Sequence, residues 1–206
     1  MKTTAGIAVL RTVPSPGTQA CGLAWDGEAF WYFDLKVKTL FRVAMDGKVI
    51  KTLVIGCGCC DTAFDGRNIW QAEPDQRMIM VIDPETGKVV RKLQTPDKTS
   101  GLCTDGTNWY RGSWTRREII RFDPRTGDEL ASAPTGAATS GMAWDGSHIW
   151  HGGEIKGKNF LFKVDRHEGE VARYATNFTI CGLTFDGESL WAADGDRNLF
   201  VQIQPE

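Results

Sequence analysis

Apolar and polar positions alternate in short runs along the chain, and the runs recur at a fixed spacing. A run such as Gly22-Leu23-Ala24-Trp25 or Gly141-Met142-Ala143-Trp144 leads into an Asp-Gly step. These steps are Asp26-Gly27, Asp65-Gly66, Asp105-Gly106, Asp145-Gly146 and Asp186-Gly187, separated by 39, 40, 40 and 41 residues. Five residues after each aspartate stands an aromatic: Trp31, Trp70, Tyr110, Trp150 and Trp191. Period-2 alternation bounded by Gly turns predicts strands, and four fit in each repeat. The first is the run into Asp-Gly. The second follows it, as in Ala29-Phe30-Trp31-Tyr32-Phe33, and the third resembles Met78-Ile79-Met80-Val81-Ile82. A turn of the form Asp83-Pro84-Glu85-Thr86-Gly87, repeated as Asp123-Pro124-Arg125-Thr126-Gly127, then leads to a fourth, Lys88-Val89-Val90-Arg91-Lys92-Leu93. Pro presets such a turn and Gly supplies its left-handed exit.

A 40-residue period of four short strands predicts an all-β fold, a single five-bladed β-propeller of four-stranded antiparallel blades. The blade repeats run over about 18–55, 56–96, 97–136, 137–177 and 178–206. The last stops after Leu199-Phe200-Val201-Gln202-Ile203 without a fourth strand. Residues 6–13 read as that missing strand, so the N-terminus is expected to close the last blade and remove two exposed edges. The whole of 1–206 is then one domain.

Charge narrows the partners. With 24 basic and 26 acidic residues the formal charge is −2, which offers no general attraction to nucleic acid or to an anionic membrane. No apolar stretch is long enough to span a bilayer. The expectation is a cytoplasmic monomer that binds a small molecule at the top of a central channel. Its six cysteines would be reduced thiols, which point to metal binding or catalysis more than to disulfides.

The chemistry concentrates five residues before each Asp-Gly, where Cys21, Cys60, Ser100, Ser140 and Cys181 stand. Equivalent positions in equivalent blades form a ring around the axis, with the three cysteines in one arc. Glycine follows the ring residue in four repeats, but Asp61 follows in the second, after Cys57-Gly58-Cys59-Cys60. A carboxylate where backbones crowd breaks the local rule, as functional sites do. Cys60, Asp61, Cys21 and Cys181 are therefore the catalytic candidates. Cys21, Cys60 and Cys181, with Cys59, are candidate ligands of a soft transition metal. Tyr32, Glu73, Arg111, Trp114, His151 and Asp194 are candidate substrate-binding residues on the top loops and second strands. Cys103 aligns with Ala24, Ala63 and Ala143 and reads as packing. Restoring glycine at Asp61 is expected to be tolerated or stabilising.

The pattern apolar–Asp-Gly–x-x-apolar-aromatic, closing in Asp-Pro-x-Thr-Gly-Lys-Val, resembles the blades of YVTN-type propellers, virginiamycin B lyase and five-bladed glutamine cyclotransferases. Thr18-Gln19-Ala20-Cys21-Gly22-Leu23 is similar to the cyclotransferase segment leading into the first inner strand, with two residues inserted. The resemblance implies a glutamate directly after a second-strand aromatic. Tyr32, Gln71, Arg111, His151 and Ala192 stand there instead, so that activity is not carried over.

No phosphate-binding glycine loop, His-Glu-x-x-His or nucleophile elbow occurs. The remaining readings are three. The first is a thiol-dependent lyase or hydrolase with Asp61 as proton shuttle. The second is a protein that binds or detoxifies soft metals such as Cu, Zn, Hg or an organometal. The third is a protein-interaction propeller.

Overall fold

The computed structural model describes residues 5–206, and the regular structure among them is entirely β. The first repeat begins after β1 (Ala5–Pro14) and holds β2 (Ala20–Trp25), β3 (Phe30–Asp34), β4 (Thr39–Val43) and β5 (Val49–Val54). Next come β6 (Asp61–Phe64), β7 (Ile69–Glu73), β8 (Met78–Ile82) and β9 (Val89–Gln94). The third repeat is β10 (Thr99–Thr104), β11 (Trp109–Ser113), β12 (Glu118–Phe122) and β13 (Glu129–Pro134). The fourth is β14 (Met142–Trp144), β15 (Ile149–Ile155), β16 (Lys158–Asp165) and β17 (Gly169–Ala175), and the chain ends with β18 (Ile180–Phe185), β19 (Leu190–Asp194) and β20 (Leu199–Pro205).

The repeat has a direct physical cause. In every copy the aspartate of Asp-Gly accepts two backbone amides of its own turn and one side-chain hydrogen from the aromatic five residues on. Asp26 takes the amides of Glu28 and Ala29 and the Trp31 indole at 2.9 Å. Asp65, Asp145 and Asp186 do the same for Trp70, Trp150 and Trp191 at 2.7, 2.6 and 2.8 Å, and Asp105 for the Tyr110 hydroxyl at 3.1 Å. Gly27 and its counterparts supply the left-handed step with φ between 87° and 103°. One short motif thus fixes a turn and an aromatic rotamer together.

The expected five separate four-stranded blades are corrected by the sheet topology. The strands form three four-stranded sheets, β2–β5, β6–β9 and β10–β13, and one eight-stranded sheet in the order β14-β15-β16-β17-β1-β20-β19-β18. The cause is β1. It pairs antiparallel with β20 from Ile7↔Pro205 to Pro14↔Leu199, and its first residues also pair parallel with β17 through Ala5↔Tyr174 and Gly6↔Ala175. A strand expected only to finish the last repeat instead joins it to the fourth.

The innermost strands pack in a closed order, β2 on β6, β6 on β10, β10 on β14, β14 on β18 and β18 on β2. Apolar side chains fill the spaces between neighbouring sheets. Trp70 and Trp109 stack at 4.0 Å between the second and third, and Phe30 meets Trp191 and Phe200 at 5.1 and 5.2 Å between the first and last. Each such ring contributes roughly 1.5–3 kcal/mol by leaving water. The arrangement is propeller-like, with an axial cavity of 120 Å³ lined by all five innermost strands.

Candidate functional site

The small residues that begin the innermost strands are set apart by backbone irregularity. In β2, β10 and β18 one extra residue interrupts the register at the ring position, between Ala20 and Leu23, Thr99 and Gly101, and Ile180 and Gly182. Such bulges re-aim a side chain out of the pleat. Cys21, Ser100 and Cys181 occupy them. Cys60 and Ser140 stand just before β6 and β14, tied by their amides to the Ala72 and Gly152 carbonyls at 2.8 and 2.9 Å. Alternation in the sequence does not reveal these bulges, because each adds one residue without changing the flanking pattern.

The thiols divide sharply. Cys21 and Cys60 meet across the first and second sheets, where the Cys21 thiol lies 3.5 Å from the Cys60 carbonyl oxygen. The Cys21 hydrogen bond draws the Cys60 thiol below the range of a free cysteine, whereas Cys21 rises well above it through that same hydrogen bond and its burial. Burial pushes the other four up, Cys181 to about 11. Cys59, expected as a ligand, is only 1% exposed and donates its thiol to the Asp61 carbonyl at 2.9 Å. Cys57 rests on Met80, sulfur to sulfur at 3.7 Å. Cys103 lies in the core beside Tyr110 and Ile119. Among the described residues no three of His, Cys, Asp and Glu converge to hold a metal ion. Cys21, Cys59, Cys60 and Cys181, the expected ligands, are not brought together as such a group.

Asp61 is placed differently from its expected role. It is 0% exposed, and its Oδ2 accepts the amides of Leu102 and Met142, each at 2.9 Å. One carboxyl oxygen therefore ties β6 to β10 and β14 across the axis. Burial raises its pKa well above the ordinary carboxylate range, against those amide bonds. Its Oδ2 is spent on those amides, and its enclosed Oδ1 has no hydrogen-bond partner.

Most of the expected substrate contacts are also internal. Asp194 is 0% exposed and staples its own loop through the amides of Asp196 and Arg197 and the Arg197 side chain. The Tyr32 ring packs on Phe41 and Phe200, and burial raises its pKa. Arg111 is 0% exposed and paired with Asp97, to which Ser113 also donates at 2.8 Å. His151 stacks on Phe162 at 4.6 Å, and burial drives its pKa down to about 4. All four side chains are enclosed and engaged by the protein's own groups.

Glu73 and Trp114 remain at the loop end. Glu73 is 3% exposed, its Oε2 has no partner, and burial raises its pKa. It closes over Gly58, where an added Cβ would come within 3.0 Å of that oxygen, and its charge is felt at Cys60. Trp114 is 54% exposed and forms one wall of a 390 Å³ cavity with Arg117, Ser140, Glu154, Asn159 and Thr179. Arg117 and Asn159 were not among the expected substrate-binding residues. Arg117 sits at φ 56°, a conformation shared by Lys38, Arg77, Lys156 and Asn198 in the equivalent loops.

The fold has solved counterparts. It is similar to the crystal structure of Myxococcus xanthus glutaminyl cyclase, with a TM-score of 0.84 at 12% identity, covering 100% of this chain and 99% of that one. It is also similar to the PQQ-bound aldose sugar dehydrogenase (Adh) from Streptomyces coelicolor, with a TM-score of 0.60 at 12% identity over 98% and 99% of the two chains. Kuenenia stuttgartiensis hydrazine synthase gives 0.57 at 15% identity, over 88% of this chain and 57% of that one. No protein-family model matches the chain, and no curated protein matches it by sequence. The propeller resemblance expected from the repeats holds at the level of fold, and the likeness goes no further at these identities.

Proposed function

We propose that this chain is a thiol-dependent enzyme acting on a small molecule, most simply a hydrolase or lyase, with Cys60 as nucleophile. The observation that carries the reading is the Cys21–Cys60 pair, in which the Cys21 thiol donates to the Cys60 carbonyl at 3.5 Å and the half-buried Cys60 thiol is drawn below the range of a free cysteine by its Cys21 neighbour. A thiolate so supported is present at neutral pH in greater proportion than a free cysteine, and the thiolate is the attacking species. Glu73 takes the proton-transfer role first expected of Asp61. Its Oε2 is unpartnered, and burial raises its pKa above the ordinary carboxylate value, the direction general acid–base work needs. A separate cavity beside Trp114 falls in the size range of ligand pockets, about 300–1,000 Å³, and carries an aromatic face, Glu154 and Arg117, but Cys60 and Glu73 do not line it.

An activated ester tests this. Cys60 would attack the carbonyl of p-nitrophenyl acetate, the C–O bond would break, and nitrophenolate would leave with the electron pair. Water would then hydrolyse the acetyl thioester. The expected result is a burst of one equivalent of nitrophenolate with acetyl mapped to Cys60, lost in Cys60→Ser. Glu73→Gln should slow the steady phase and shift its pH profile. Equal rates in wild type and Cys60→Ser, with no acetyl on Cys60, would overturn the reading.

A further inference from the structure

Cys21 and Cys60 belong to neighbouring sheets, yet the chain brings them face to face by two independent devices. The bulge at residues 21–22, with Gly22 at φ 92°, turns Cys21 out of the pleat toward β6. The backbones themselves touch there: a Cβ added to Gly22 would lie 2.9 Å from the Thr62 amide nitrogen and 3.0 Å from the Asp61 carbonyl carbon. The residue after Cys21 thus abuts the residues after Cys60. The Cys21 sulfur itself reaches the Cys60 residue, lying 3.5 Å from its carbonyl oxygen. The competing thiols are diverted. Cys59 faces the Asp61 carbonyl, Cys57 faces Met80, and Cys103 is enclosed in the core. Cys181 packs beneath Gly195, where an added Cβ would fall 2.4 Å from its sulfur.

We propose that Cys21 and Cys60 form a reversible disulfide by exchange with small-molecule disulfides, Cys60 attacking and Cys21 resolving. The Cys60 thiolate attacks one sulfur of glutathione disulfide, the S–S bond breaks, and one glutathione leaves as thiolate. Cys21 then loses its proton and attacks the Cys60 sulfur of the mixed disulfide, expelling the second glutathione. Two protein thiols are oxidised, and one glutathione disulfide is reduced to two thiols. The product clamps β2 to β6 and removes the Cys60 nucleophile. The two proposals share Cys60, but exchange requires no ester chemistry.

The experiment treats the reduced full-length protein anaerobically with glutathione disulfide, quenches in acid, alkylates the free thiols and maps the peptides. Wild type should lose two thiols and yield a Cys21–Cys60 cross-linked peptide that dithiothreitol reverses. Cys60 should react faster than any other cysteine, since the thiolate is the attacking species. Cys21→Ser should stall as a glutathionyl adduct on Cys60, and Cys60→Ser should give neither species. Serine already stands at Ser100 and Ser140 in the same ring, so both variants suit the fold. A disulfide mapped to another pair, equal reaction of all six thiols, or no stalled adduct in Cys21→Ser would overturn the proposal. Exchange without an acetyl burst would refute the ester-cleaving reading alone.

Discussion

Asp61 holds the backbone amide of Met142 at 2.9 Å across 81 residues of chain, and the same oxygen holds the amide of Leu102. Removing it strands two buried donors, each at roughly 1–3 kcal/mol. Asp61→Gly is therefore expected to lose at least about 2 kcal/mol in urea denaturation, reversing the expectation from the glycines of the other repeats. Asp61→Asn keeps an acceptor and should retain most of the stability. Unchanged stability in the glycine variant would show that the amides find other partners.

The strand β1 is bonded along both edges, to β20 and to β17. Deleting residues 1–14 bares an edge on each of those strands and uncovers the core around Val13. The truncated chain should melt well below the full chain and aggregate through the open edges. A melting temperature unchanged by the deletion would contradict this.

What was legible in the sequence follows from how local the causes are. The Asp-Gly turn and its aromatic lie five residues apart, so period and strand order could be read directly. The pairing of β1 with β20 was also readable, because a missing strand at one end matched a spare at the other. Its second pairing with β17 was not, since two residues of parallel ladder leave no pattern. At the site, the ring position was visible but the directions of its side chains were not. Cys59 and Cys60 are adjacent in sequence, yet one is sealed under the Asp61 carbonyl and the other faces Cys21. Asp61 was noticed as an exception to glycine. Its partners lie 41 and 81 residues away, a distance no local motif encodes.

Arg111 tests whether a buried charge here is structural. With Asp97 as its ion partner and its Nε and Nη2 unpaired, it depends on that one carboxylate. Asp97→Ala leaves the guanidinium enclosed and uncompensated, a loss of about 3–5 kcal/mol. Arg111→Met combined with Asp97→Ala should recover much of that loss in chemical denaturation. If the double variant is no more stable than Asp97→Ala, the guanidinium is held by more than its ion pair.

His151 and Asp61 should bend the pH dependence of stability in opposite senses. The folded pKa of His151 is depressed to about 4, below the unfolded value of about 6.5. Its neutral burial is therefore fully favourable above about pH 6.5 and is lost as pH falls through about 4. The whole window is worth about 3 kcal/mol. The folded pKa of Asp61 is raised, so its contribution is present below its unfolded value of about 3.9 and is lost as pH rises toward the folded one. Between about pH 4 and 6.5 the two slopes oppose one another, so wild type should vary less with pH there than either single variant. His151→Phe removes the acid-side loss, and its stability should then decline as pH rises through this range. Asp61→Asn removes the opposing slope, and its stability should climb with pH. Parallel profiles for the two variants in urea titrations across that range would show that neither group titrates as its burial requires.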